Sequence, residues 1–279
     1  MFGRSLYAVF AVVALTATAT ACGGGAEASF ASIVDKAKND KKLVIGVKAD
    51  QPGLGLRTPD GSFTGFDIEV AKYVAKALGV EAKDITFKET VSANREAFLQ
   101  QGQVDMVVAT YSITDARKQK VSFAGPYFVA GQALLVRADD TKLTGPEALN
   151  GKKLCSVAGS TPAQKVKTEY AKEVQLQEER TYSSCVDRVL GGQLDAITTD
   201  NVILAGYAAQ HAGKLKVVGE PFSTEKYGIG LKKDDTAGRN AINDALTKMF
   251  SDGSWKKALE GSVGASGFPV PAAPQLERY

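Results

Sequence analysis

Between Thr110 and Arg117 the chain crowds several hydroxyl side chains and one arginine into eight residues, Thr-Tyr-Ser-Ile-Thr-Asp-Ala-Arg. A planar guanidinium beside hydroxyls and free backbone N–H groups is suited to gripping a carboxylate, because its fork of donors matches two carboxylate oxygens. The same spacing also fits a capped helical turn with a solvated arginine, and the residues alone leave both readings open. A second cluster, Gly159-Ser160-Thr161, stands just before Pro162, a residue favoured at the first position of a helix. Free N–H groups at such a point favour an anion, although an ordinary N-cap has the same composition. Asp200 ends an apolar strand ahead of a helix, as either a cap or an acceptor for a cation.

Other chemistries find less support. The one histidine, His211, falls late in a predicted helix, and no cysteine pair has metal-ligand spacing, so neither a metal nor a cofactor is implied. Gly-x-Ser-x-Gly, P-loop and His-Glu-x-x-His motifs are absent from the sequence. Asp105 and Asp200 could be offered as an acid/base pair, yet each has a structural explanation. With 34 Lys+Arg against 31 Asp+Glu the charge is +3, which is no footprint for nucleic acid.

The N-terminus sets the compartment. Arg4 precedes an apolar run, Leu6 to Ala17, that is too short to span a bilayer, as in an export signal. Ala19-Thr20-Ala21 then lead into Cys22 and a run of three glycines. That junction resembles a lipobox, with Cys22 as the lipidated first residue; Ala19 stands where bacterial lipoproteins usually carry Leu, and an ordinary signal cleavage is the alternative. Setting Cys22 aside leaves Cys155 and Cys185, an even pair in an oxidising compartment. They are expected to form a disulfide closing a loop worth about 3 to 4 kcal/mol on the chain-entropy model, two buried thiols being the alternative.

Periodicity alternates strand and helix. In the first half Leu43–Val47, Ile85–Lys88 and Val104–Ala109 read as strands, and Asp67–Leu78 and Ala93–Gln101 as helices. The second half gives strands at Ala133–Arg137, Lys153–Val157, Gln175–Tyr182, Asp195–Thr199 and Leu215–Val218. Helices over Thr161–Lys172, Ser184–Leu190 and Asn201–His211 separate them. A strand at Tyr227–Leu231 and helices at Gly238–Phe250 and Trp255–Leu259 follow. The run Lys36 to Lys42 reads as solvated surface, and the tail beyond Gly267 as disordered or draped. This order predicts an α/β fold of two lobes, each a βα sandwich, joined by two crossings near Tyr127–Gly131 and Phe222–Tyr227. The expected divisions are 1–21 signal, 22–42 anchor and linker, 43–127 first lobe, 128–226 second lobe, 227–268 return to the first lobe, and 269–279 tail. A ligand belongs in the crevice between lobes, at the strands' carboxyl ends.

Seven segments in order carry a family resemblance: Gly65-Phe-Asp-Ile-Glu-Val-Ala71, Gly102-Gln-Val-Asp105, Ser112-Ile-Thr-Asp-Ala-Arg117, Phe123-Ala-Gly-Pro-Tyr127, Ala158-Gly-Ser-Thr161, Asp195-Ala-Ile-Thr-Thr-Asp200 and Asp252-Gly-Ser-Trp255. The chain resembles the extracytoplasmic solute-binding lipoproteins of polar amino-acid ABC importers, with the type II periplasmic-binding-protein fold, and most of all those that bind glutamate. The resemblance implies capture of a free amino acid by hinge closure and delivery to an ABC permease. It also implies a monomer on the outer face of a bacterial cell membrane, anchored through Cys22. Arg117 would clamp the ligand α-carboxylate with help from Ser112, and Gly159, Ser160 and Thr161 would meet the same group. The Thr110 carbonyl and Asp200 would accept from the α-ammonium. Lys48 stands where relatives that bind histidine or glutamine carry an acid, and Arg95 where acidic-amino-acid binders bring a second cation. Two such cations favour glutamate or aspartate over their amides. The stacking aromatic usual in the first loop is displaced by Gln51 and Leu54, leaving Tyr111 or Phe63 to line the pocket. Rim charges are the alternative for Lys48 and Arg95. A few relatives are dehydratases, and a sensory module feeding a membrane kinase would have the same fold and pocket.

Overall fold

The computed structural model describes residues 2–3 and 30–279, so the export segment and Cys22 lie outside the described residues. Helix α1 (Ile33–Asp40) is capped by the Ser32 hydroxyl, and it buries Ile33 and Ala37, one turn apart. The sequence predicts only solvated surface here. Lys38, Lys41 and Lys42 are indeed exposed, but two buried side chains suffice to seat a helix of eight residues.

Strands β1 (Leu43–Val47), β2 (Asp50–Gln51), β3 (Gly55–Arg57) and β4 (Phe63–Thr64) lead to α2 (Phe66–Ala77). Gly65, with φ +119, has to be glycine: a Cβ there would lie 2.2 Å from the Leu54 carbonyl oxygen. Then come β5 (Ile85–Glu89), α3 (Arg95–Gln100), β6 (Met106–Val107), α4 (Asp115–Lys118) and β7 (Ser122–Ala130). The second set is β8 (Gln132–Arg137), β9 (Lys153–Val157), α5 (Pro162–Lys165), β10 (Gln175–Glu179), α6 (Tyr182–Leu190), β11 (Ala196–Asp200), α7 (Asn201–Gln210) and β12 (Leu215–Val218). Strand β13 (Glu225–Leu231) and helices α8 (Thr236–Ser251) and α9 (Ser254–Val263) complete the strands and α-helices among the described residues.

These strands make two five-stranded sheets, ordered β5-β1-β6-β13-β7 and β10-β9-β11-β8-β12, beside a small antiparallel sheet of β2, β3 and β4. Each large sheet contains a parallel trio, and its one antiparallel strand arrives from the other sheet: β8 in the second and β13 in the first. The chain thus passes twice between two lobes. Alternation on β8 serves two layers, with Ala133 and Leu135 facing the main core while Leu134 and Val136 join a second cluster around Leu149 and Val166.

Three local features differ from the sequence expectation. The nine-residue β7 contains Pro126, which argues against an interior strand; β7 lies at a sheet edge, where proline is tolerated. The helix expected over Thr161–Lys172 is α5 followed by a π-helical turn, Val166–Tyr170. Tyr182 belongs to α6 and not to the preceding strand, because the Thr181 side chain accepts from Ser184 N and starts the helix there. The tail is draped: Phe268 packs on Phe128, and Glu277 N donates to Gly125 O of edge strand β7 at 2.9 Å.

Cys155 on β9 and Cys185 on α6 are joined, with an S–S distance of 2.01 Å across 30 residues of chain. Replacing both with serine is expected to lower the unfolding free energy by about 3 kcal/mol, read as a fall in denaturant midpoint.

Candidate functional site

The carboxyl ends of β6 and β11 face each other across the crevice between the lobes. A space of about 10 Å³ there is lined by Ser92, Arg95, Thr110, Ser112 and Arg117 from the first lobe and by Ser160, Thr161, Pro162, Tyr182, Asp200 and Ile203 from the second. Seven of the nine residues expected to meet a ligand are therefore gathered at one point, Gly159 and Lys48 excepted. Lys48 is not in the lining; its ammonium donates to the lining Ser92 hydroxyl at 2.7 Å, from just behind it.

At Arg117 the capped turn of one reading is present without its solvated arginine. The Thr114 hydroxyl caps α4 by accepting from Arg117 N at 3.2 Å, so the helical turn is real. The guanidinium nevertheless points inward and is buried. Its Nη1 donates to Ser112 O at 2.7 Å, its Nη2 crosses the crevice to Gly159 O at 2.9 Å, and its Nε pairs with Glu96 at 3.3 Å. Arg95 also reaches Gly159 O, at 3.3 Å, and bonds the carbonyls of Ala109 and Thr110. Both guanidiniums lie over the Tyr111 ring, at 4.2 Å for Arg95 and 5.0 Å for Arg117. Tyr111 lies beneath the cations and, contrary to the expectation, is not part of the lining. Phe63 is elsewhere, against Phe87 and Arg57.

Thr110 has φ +43, a left-handed backbone that costs a non-glycine residue on the order of 1 kcal/mol. Asp67 on α2 secures it by accepting from Thr110 N at 2.9 Å, while its other oxygen accepts from Tyr127 OH at 2.7 Å. Burial pushes Asp67 up to about 6 against those two hydrogen bonds. In the opposite wall Gly159 has φ +76, and a Cβ would sit 2.7 Å from Ala93 Cα of the other lobe. Gln132 fixes the start of α5 by donating to Pro162 O at 2.7 Å. The Thr161 hydroxyl donates to Glu225 at 3.1 Å, at the first residue of β13.

Asp200 is buried, and its Oδ2 accepts from Tyr227 OH at 2.5 Å. Its Oδ1 has no hydrogen-bond partner among the described residues. Burial and then the nearby Glu225 push Asp200 up to about 7. Burial and then Arg95 bring Lys48 down to about 7, with Asp50 and Asp67 opposing. Asp105, the other half of the suggested acid/base pair, is an ion-pair partner of Lys36 and a cap for Val44 N, outside the lining.

Sequence reasoning missed Asp67, Glu96, Glu225 and Tyr182. Asp67 had a signal, since it lies inside the Gly65-Phe-Asp67 segment, but its partner Thr110 is 43 residues away.

The arrangement has the charge pattern of an amino-acid cradle: two guanidiniums on one wall, an under-satisfied carboxylate and a helix start on the other. Residues 43–264 match the profile of the bacterial extracellular solute-binding proteins, family 3. The chain is 48% identical to the "Glutamate-binding protein GluB" of Corynebacterium efficiens, over 95% of this chain and 92% of the relative. It is 40% identical to the "ABC transporter glutamine-binding protein GlnH" of Bacillus subtilis, over 91% and 94%. Among solved structures, an ancestral arginine-binding protein bound to glutamine superimposes with a TM-score of 0.74 at 36% identity, covering 80% of this chain and 98% of that one. The two lobes are those of the type II amino-acid-binding fold, and no described helix is long and apolar enough to cross a membrane. The chain belongs to the bacterial extracellular solute-binding proteins, family 3.

Proposed function

We propose that this protein captures glutamate outside the cell membrane by closing its two lobes, and delivers it to an ABC permease. The observation that carries the reading is the pair of buried guanidiniums, Arg95 and Arg117, facing the unpartnered Oδ1 of Asp200 across one small space. A zwitterion with one further negative charge complements that pattern.

Arg117 and Ser112 take the α-carboxylate, with Ser160 and Thr161 closing on it from the second lobe. The ligand replaces Gly159 O as the acceptor for Arg117, so the lobes must part to admit it. Asp200 and the Thr110 carbonyl receive the α-ammonium. Arg95 and, through Ser92, Lys48 set a positive potential for the side-chain carboxylate. The first lobe comprises 43–127 and 227–268 and the second 128–226, with bending at Tyr127–Gly131 and Phe222–Tyr227. The role is capture and not catalysis, by a monomer held to the outer face of the membrane by lipid on Cys22. Support comes from the 48% identity to a glutamate-binding protein.

A second reading is glutamine. It is favoured by the withdrawal of Lys48 behind Ser92, and by the 40% identity to a glutamine-binding protein.

Isothermal titration of protein stripped of ligand by unfolding and refolding separates the two. Tight binding of glutamate or aspartate alone supports Arg95 and Lys48 as readers of the side chain. Preference for glutamine, asparagine or histidine keeps capture and discards that assignment. No heat with any of the five overturns the proposal.

A further inference from the structure

The interlobe contacts are not confined to the cradle. Asp50, at the start of β2, inserts its carboxylate into the second lobe, where Oδ2 accepts from Tyr182 N at 2.8 Å and Ser183 N at 3.2 Å. These are the first two N–H groups of α6, which no helical carbonyl can reach. The next one, Ser184 N, is taken by the Thr181 hydroxyl at 3.3 Å. Tyr207 of α7 donates to the Asp50 backbone carbonyl, and its hydroxyl lies 3.2 Å from Asp50 Oδ2. One residue of the first lobe thereby holds two helices of the second.

The neighbouring contact is equally close. Pro52, two residues on, presents its carbonyl oxygen to Gly206 in the middle of α7, and a Cβ at Gly206 would lie 2.4 Å from it. The backbone of α7 can seat against this loop only because position 206 has no side chain. Asp50 is absent from the lining of the cradle, whereas Tyr182, whose N–H it holds, is part of that lining.

We propose that Asp50 is a positioning residue for capture: it caps α6 of the opposite lobe only when the lobes are together, and so sets how long the closed form lasts. The inference rests on lobe closure as the mode of capture. Capping of α6 by a residue of the other lobe is lost on opening, when Tyr182 N and Ser183 N return to water. A contact present in one state alone biases the equilibrium toward that state. A negative charge at the positive end of a helix adds to the bias. The amino acid enters an open cradle before the latch forms, so the contact acts on release far more than on entry.

Rapid-mixing kinetics with glutamate on the purified protein and three variants test this. Asp50→Ala is expected to release glutamate roughly 10- to 100-fold faster, with association changed less than about threefold. Asp50→Asn retains an acceptor oxygen and is expected to recover at least about a third of the wild-type residence time. Gly206→Ala is expected to release glutamate faster too, although alanine is the better helix former and leaves thermal unfolding without ligand unchanged or raised. That split separates a closure defect from damage to the fold. Wild-type release rates in Asp50→Ala, or no recovery in Asp50→Asn, would overturn the latch while leaving capture intact. A wild-type protein that binds no glutamate overturns both.

Discussion

Arg117→Ala is expected to weaken glutamate binding by about 2 to 5 kcal/mol, roughly 30- to 5,000-fold. The cost is that of leaving a carboxylate in a closed crevice without its bidentate partner. The effect is not confined to charge. Arg117 also holds the Ser112 carbonyl and compensates Glu96, so its removal disturbs both, while Gly159 O keeps its bond from Arg95. Arg117→Lys is expected to recover little, since one ammonium cannot reproduce the fork that meets both carboxylate oxygens. Titration calorimetry reads the loss, and circular dichroism checks that the fold survives. Near-wild-type affinity in Arg117→Ala would remove Arg117 from the clamp.

The second large effect concerns pH and selectivity. Lys48, brought down to about 7 mainly by burial, is half neutral near neutrality. A bound side-chain carboxylate favours its charged form. Glutamate binding above pH 7 must therefore take up a proton, and affinity falls by up to about tenfold per pH unit on that side. Asp200, pushed up to about 7 mainly by burial, sets the other side. It must be ionised to receive an ammonium, so binding below pH 7 releases a proton and affinity falls as the pH drops. Affinity for glutamate is thus expected to peak near neutrality. The alkaline fall should be absent for glutamine, whose neutral amide asks nothing of Lys48. Lys48→Met is expected to flatten the alkaline limb and to shift preference toward glutamine by roughly 10- to 100-fold. Titrations in buffers of differing ionisation enthalpy count the protons directly. A glutamate affinity that stays level across the neutral range would exclude Lys48 and Asp200 as the controlling groups.

Much of the fold could be read from periodicity because most elements bury one continuous stripe. The failures are local and have local causes. Helix α1 is short and heavily charged, with only Ile33 and Ala37 buried. Strand β7 carries a proline that argues against a strand unless its edge position is known. In the site, Arg117, Ser112 and Thr110 could be recognised because they share one segment. Their supports could not, since each relation spans long stretches of chain: 43 residues from Asp67 to Thr110, 64 from Thr161 to Glu225, and 132 from Asp50 to Tyr182. Distance in sequence hid these supports, whereas hydroxyl and guanidinium chemistry marked out the segment of Arg117, and the family resemblance pointed to Arg95 and Asp200.

The exchange of single strands between the two sheets also bears on how the chain is made. Strand β13 lies between β6 and β7, and among the described residues it is the only strand beside β7. Until Leu231 has left the ribosome, the first sheet is split and β7 has no neighbour. A polypeptide whose first sheet cannot be completed until most of its length has been synthesised is expected to finish folding late. Late completion suits a member of an extracellular solute-binding family, whose chain gains by reaching its compartment before it takes its final shape.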